Sequence, residues 1–433
     1  MAQYRRDTHK YLDDNKTLFE VVMLCDEYGN PTGGGTPSGV ALDAFGRIRQ
    51  STPFTLFDSY NRYQENDKFT TLTQNGGMTT FHRNSSSVLL STNGSAGSSV
   101  TKETKRVFAY QPGKSLQILN TFVMAPHVPG LVQRIGYFND TNGIFIERNN
   151  NGVNFVRRSN VTDTIIDTKV VQENWNIDPL DGTGISGHTL DITKSHIFWM
   201  DIEWLGVGSV RCGFVIDGQL IHCHTFNHAN TLNLPYMTTA ILPVRYHIEN
   251  TTAGIASSMR QICTSVISEG GYELRGRGKY ATTGVLPADL RTVSTAAYTP
   301  ILSVRLKTGA IDRTDALAIL SEATMVSDSS ANFDIAIIQG GTLTGAVWTS
   351  TTGSTSIEYD KSATAITGGT PIIGKVMGVS NQSSSSMGIG GELFDLQFER
   401  NGLTKESYAF TLAAKCSSNN VKVGASLEWQ EIT

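Results

Sequence analysis

Residues 197–226 constrain the fold more than any other stretch, because apolar side chains recur there at every second position. Phe198, Met200, Ile202 and Trp204 follow this rhythm, and Cys212, Phe214 and Ile216 repeat it. A period of two belongs to strands, whose side chains point to opposite faces in turn. Asp217-Gly218 between two such runs predicts a type I′ hairpin, since both central residues of that turn take positive φ. Counting outward from a two-residue loop, Ile216 faces Gln219, Phe214 faces Ile221 and Cys212 faces Cys223. Cys212, Phe214, Ile216, Ile221 and Cys223 then share one face. A three-stranded meander with one apolar face must bury it, and a second sheet is the natural cover.

The 433 residues suffice for two or three domains, each with its own core. Charged residues make up 17% and the formal net charge is −4, which gives no general attraction to nucleic acid or anionic lipid. Neither nucleic acid nor membrane is expected as a partner. Forty-two glycines, many Ser and Thr, and few segments of helical period indicate an all-β chain with many turns. Cys25, Cys212, Cys223, Cys263 and Cys416 are odd in number and scattered, so free thiols are expected. No run approaches 18 apolar residues and the first residues lack an apolar signal core, so synthesis in a cytoplasm and a soluble chain are expected.

Residues 1–60 read as an extended arm. Thr17 to Cys25 has strand character, but Asn30 to Gly39 is too rich in Gly and Pro for a regular element. Such an arm becomes ordered only by lying across another domain or subunit. It ends in Asp43-Ala-Phe-Gly-Arg-Ile-Arg49, followed by Pro53-Phe-Thr-Leu-Phe-Asp-Ser59. These motifs, with Pro243 to Asn250 and the closing Leu427-Glu-Trp429, resemble a family of tailed-bacteriophage virion structural proteins. The resemblance implies a place in a particle and supplies no catalytic motif. On that reading the arm docks on other copies of the chain and on neighbouring virion proteins. Phe45, Phe54, Leu56 and Phe57 are its apolar anchors.

The rest reads as two tandem β-sandwiches of jelly-roll, lectin-like type: 61–268, a linker over 269–297, and 298–433. In the first, short runs such as Ser87 to Leu90, Arg106 to Tyr110, Leu116 to Met124 and Gln133 to Phe138 are spaced by Asn- and Gly-rich turns. In the second, Pro300 to Leu306, Phe333 to Ile338, Gly345 to Trp348 and Val421 to Trp429 alternate again. Thr314 to Leu320 alone has a helix-like start. Arg275-Gly-Arg-Gly-Lys279 reads as a solvated basic connection.

Chemical sites are sparse. His222 and His224 lie two apart on one strand, with His228 beyond, a spacing at which imidazoles share a transition metal; exposed residues on an outer sheet face fit the same pattern. Asp201 and Glu203 share a face with Trp199, as in some sandwich glycosidases, and as on many charged strand faces. Trp175 and Trp199 are the candidates for stacking on host surface glycans, and Tyr137, Phe138 and Tyr236 are aromatic candidates at sandwich ends. Asp178 to Gly184 has oxygen donors without the spacing of a calcium loop. No nucleophile elbow, Walker loop or Cys-x-x-Cys pair occurs. The expectation is a non-enzymatic virion protein with no cofactor, no metal and no catalytic residue, decorating a capsid or associated with a tail. A carbohydrate-binding adhesin on a fibre or capsid surface is the alternative.

Overall fold

A computed structural model describes residues 52–432 except 274, 309–314, 352–354, 380–383 and 389–395, together with 8–12 and 18–22. The described residues form antiparallel strands, turns and two single 3₁₀ turns; the chain is all-β. Its first sandwich packs a seven-stranded sheet on an eight-stranded one. The seven-stranded sheet runs in the order Ile166–Val171, Gly152–Ser159, Gly143–Asn149, Leu131–Phe138, Val244–Asn250, Ser98–Thr104, Phe69–Gln74. The second runs Gln219–Phe226, Val210–Ile216, His196–Ile202, Leu116–Val123, Ser258–Ser268, Ser87–Ser91, Met78–His82. Chain neighbours repeatedly switch sheets, as in a jelly roll, so the core is closed by partners distant in sequence.

The alternating stretch forms the predicted meander. Asp217 and Gly218 have φ of 51° and 77°, and Ile216 pairs with Gln219 and Phe214 with Ile221, as a type I′ turn requires. Phe198, Met200, Phe214 and Ile221 point into a core shared with Ile135, Phe155 and Tyr246 from the opposite sheet.

Two boundaries differ from expectation at the start of the chain. Phe54–Tyr60 is an eighth strand of the second sheet, paired with Ser258–Ser268 about two hundred residues away. Leu56 and Phe57 are 6% and 3% exposed and belong to the first core, and Phe54 packs against it. These three are therefore sandwich residues and not arm anchors; Phe45 lies outside the described residues. Upstream, Thr8–Leu12 and Leu18–Val22 pair as an antiparallel hairpin, so the leader is not extended throughout.

The second sandwich opposes the sheet Arg277–Thr282, Lys422–Ile432, Leu317–Ser327, Ser384–Gly388 to a six-stranded sheet centred on Thr299–Leu306, Phe410–Cys416 and Ala331–Gln339. Trp429 and Leu427 are buried at its centre. The expected linker over 269–297 contains two strands of the second sandwich, Arg277–Thr282 and Arg291–Thr292, both paired with Lys422–Ile432. Arg277 and Lys279 thus sit on an edge strand, where charge discourages further pairing. Arg106 to Tyr110 and Gly345 to Trp348 lie outside strands.

Residues 317–320 do not start a helix; they open the strand Leu317–Ser327. Leu317 and Ile319 belong to the first core, while Ala318 and Leu320 belong to the second. Both faces of this run are buried, one in each sandwich. Residues 396–400 follow it across the junction. Leu320 N donates to Leu396 O at 3.0 Å and Phe398 N to Ala318 O at 2.9 Å. Arg400 N donates to Lys105 O at 3.1 Å, and Gln397 Nε2 to Val107 O at 2.8 Å. The buried Arg106 guanidinium meets Glu399 at 2.8 Å. Gly402 passes so close to Glu103 that a Cβ there would lie 2.2 Å from the carboxylate.

The eighth strand predicts an outcome for truncation. A chain beginning at residue 61 should unfold about 3–6 kcal/mol more easily than one beginning at residue 53, because Leu56 and Phe57 leave the core. Urea unfolding compares the two, and equal midpoints would contradict the strand assignment.

Candidate functional site

The outer face of the eight-stranded sheet carries Trp199, Asp201 and His222 among the expected residues. Its local geometry is set by a bulge. Gly213 pairs with His222 and Cys212 with His224, so Cys223 is the extra residue and does not face Cys212. The bulge inverts the alternation, and both Cys223 and His224 turn inward. Cys212, Cys223, Cys263 and Cys416 are free thiols. Gly213 is required on the other face: a Cβ there would lie 2.9 Å from the Trp199 ring and 1.9 Å from Ile221 O. Trp199 therefore lies flat on the sheet, 5% exposed, with its indole N–H donating to Phe214 O at 3.3 Å.

This packing removes the expected sugar platform. Asp201 is ion-paired with Arg211 and is 1% exposed, and Glu203 is fully enclosed. Trp175 is 4% exposed and stacks on Phe155 at 4.1 Å, with its N–H donating to Val170 O at 3.2 Å. Neither tryptophan offers a face to a ligand, which corrects their assignment as glycan contacts. Tyr137 and Tyr236 are buried too. Tyr137 donates its hydroxyl to Ala240 O at 2.7 Å, and burial pushes both phenols up.

The histidines are separated by the same bulge. His222 Nε2 lies 2.8 Å from the Thr225 hydroxyl on the outer side, whereas His224 is inside, accepting from Asn176 N at 3.3 Å. His228 donates from Nδ1 to Gly208 O at 2.6 Å and stacks on Tyr236 at 3.9 Å. No cluster of three metal-ligating side chains occurs among the described residues. Asp178 accepts from the amides of Leu180 and Ser186 at 2.9 and 2.8 Å and organises its own loop.

The outer face of the seven-stranded sheet carries charges that sequence reading passed over. Arg158 meets Asp167 at 2.8 Å, Glu147 lies between Arg134 and Lys169 at 2.7 and 2.6 Å, and Arg245 joins buried Glu103 to Asp140 at 2.6 Å each. The Arg158 and Arg245 guanidiniums cover Phe145 and Phe138 at 5.2 and 5.4 Å. Burial would raise the Glu147 carboxyl, but Arg134 and Lys169 outweigh it and hold it below the usual range. These ion pairs cap the small apolar cluster of Phe138, Phe145 and Val156 and are mutually engaged.

An open space of 510 Å³ lies instead between the sandwiches. Lys68, Lys105 and Arg106 line it from the first, and Gln339, Glu399 and Tyr408 from the second. Sequence reading missed it, because its walls come from segments some three hundred residues apart and no motif marks either one.

Burial of two histidines sets a pH dependence. It depresses both His224 and His228 to about 4, assisted at His224 by His222 and opposed at His228 by the Gly208 carbonyl. An unfolded histidine titrates near 6.5. Between about pH 6.5 and 4 the unfolded chain therefore binds protons that the folded chain refuses. Stability should be full above that window and fall through it by about 1 kcal/mol per pH unit for each residue. The double variant His224→Asn, His228→Asn should flatten urea-unfolding free energy against pH in this range; an unchanged slope would contradict the assignment.

No protein-family model matches the chain, and no curated protein does. Solved structures similar to it include the carbohydrate recognition domain of Emp47p, at 9% identity and a TM-score of 0.33, covering 51% of this chain and 97% of that one. The Bacillus licheniformis beta-glucanase is similar at 13% identity and a TM-score of 0.31, covering 48% and 97%. Arcelin-5, a lectin-like defence protein from Phaseolus vulgaris, is similar at 11% identity and a TM-score of 0.30, covering 50% and 99%. At these values the similarity assigns no ligand or activity to this chain.

Proposed function

We propose that the chain is a non-enzymatic structural component of a tailed-bacteriophage virion, a capsid-decorating or tail-associated protein. Its leader seats it on other copies and on neighbouring virion proteins. The observation that carries this reading is the junction: one strand is buried on both faces, a salt bridge is enclosed and main-chain bonds cross between sandwiches. A body fused in this way transmits force between its halves without hinging, which suits reinforcement of a particle. The internal use of Trp175, Trp199, Asp201 and His224 fits the same role. Resemblance of Asp43 to Arg49 and Pro53 to Ser59 to virion proteins supplies the particle.

The strand Phe54–Tyr60 fixes where the leader departs. Thr52 O lies 3.5 Å from where a Cβ on Gly271 would sit, at the start of the connection between the sandwiches. Anchoring through that leader requires a deletion that spares the strand. A chain beginning at residue 53 should fold, as circular dichroism reports, yet be missing from purified particles when an antibody to the body is used in negative-stain imaging. Particles carrying it at full occupancy would refute assembly through the leader.

A further inference from the structure

We propose that the cleft between the two sandwiches binds a small acidic saccharide, with its carboxylate held by Lys68 and Lys105. The inference goes beyond the assembly reading and does not depend on it. The cleft is open to solvent and offers 510 Å³, within the range of about 300–1,000 Å³ that small-ligand pockets occupy. Lys68 Nζ lies over the Phe57 ring at 5.6 Å and Lys105 Nζ over the Tyr408 ring at 5.3 Å. The two aromatic faces hold these half-buried side chains in place while leaving their N–H donors available. Arg106, by contrast, is engaged by Glu399. No ion pair forms at either ammonium among the described residues, and three cationic side chains line the cleft against the carboxylates of Asp67 and Glu399. The excess positive charge selects an anion.

The remaining lining says what carries the anion. Gln339 and Thr370 add an amide and a hydroxyl to the lining. Ile372 and Ile373 from one strand and Leu396 from the junction supply an apolar wall. A free inorganic anion would meet the lysines and leave both the amide and the wall unused. A sugar acid presents a carboxylate, hydroxyl oxygens and an apolar ring face, and so matches all three parts of the lining.

The test uses the full chain and isothermal titration at low ionic strength, with sodium glucuronate and sodium galacturonate as probes and glucose and inorganic phosphate as comparators. Expected is saturable binding of at least one uronate, no heat from glucose, and weakening of about tenfold or more in the variant Lys68→Ala, Lys105→Ala, as the loss of charge-assisted contacts predicts. An unchanged unfolding midpoint in the variant shows that weakening is not misfolding. Lys105→Glu, which reverses one charge, should abolish binding. The proposal is overturned if neither uronate saturates, if the double variant binds as tightly as the parent, if glucose binds equally well, or if phosphate binds and the uronates do not. None of these results bears on the doubly buried strand of the junction or on the leader, on which the assembly reading rests.

Discussion

Everything about the shape of this protein depends on one short run, Leu317 to Leu320, having no solvent face. Its odd residues complete the first core and its even residues the second. A strand normally presents alternate side chains to opposite sides, and here each side is a sandwich interior. Burying four apolar side chains this way stabilises the junction by several kcal/mol, on the order of 1.5–3 for each large one. Polar contacts then fix the orientation. The ion pair of Arg106 with Glu399 is enclosed, and breaking such a pair by removing one partner costs about 3–5 kcal/mol because a charge is left stranded.

The same economy of exposed chemistry runs through the first sandwich. On one outer face Gly213 makes room for Trp199, and Arg211 meets Asp201. On the other, arginines lie across Phe138 and Phe145 while pairing with carboxylates on neighbouring strands. Side chains that look reactive in the sequence thereby become parts of the sheet surface. A space of 510 Å³ stays open where the two sandwiches meet, and Lys68 and Lys105 line it, each over an aromatic ring.

Much of the fold was legible in the residues. Period-two alternation and the Asp217-Gly218 turn predicted the meander and its first pairs, because hairpin geometry is local. The bulge at Gly213 was not legible: it depends on Trp199 lying across the glycine, a contact between two strands that no spacing encodes. Phe54–Tyr60 reads as arm in the sequence because its partner strand is some two hundred residues away. Thr314 to Leu320 has a helix-like start, and the apolar run within it, buried on both faces, shows no period of two to mark a strand. The glycan candidates failed for a related reason. Tryptophan in an alternating strand fits an exposed platform or a packed surface equally well, and only the tertiary neighbours decide. The cleft lysines gave no signal at all, since a lone Lys is ordinarily a solvated side chain.

If a shared strand makes the two sandwiches one body, they should melt together. Differential scanning calorimetry of the full chain is the direct measurement. One transition is expected, with equal calorimetric and van't Hoff enthalpies, that moves down as a unit in Ile319→Ala, where removing buried methylenes costs about 2–5 kcal/mol. Two separate transitions, with only one displaced by Ile319→Ala, would contradict it.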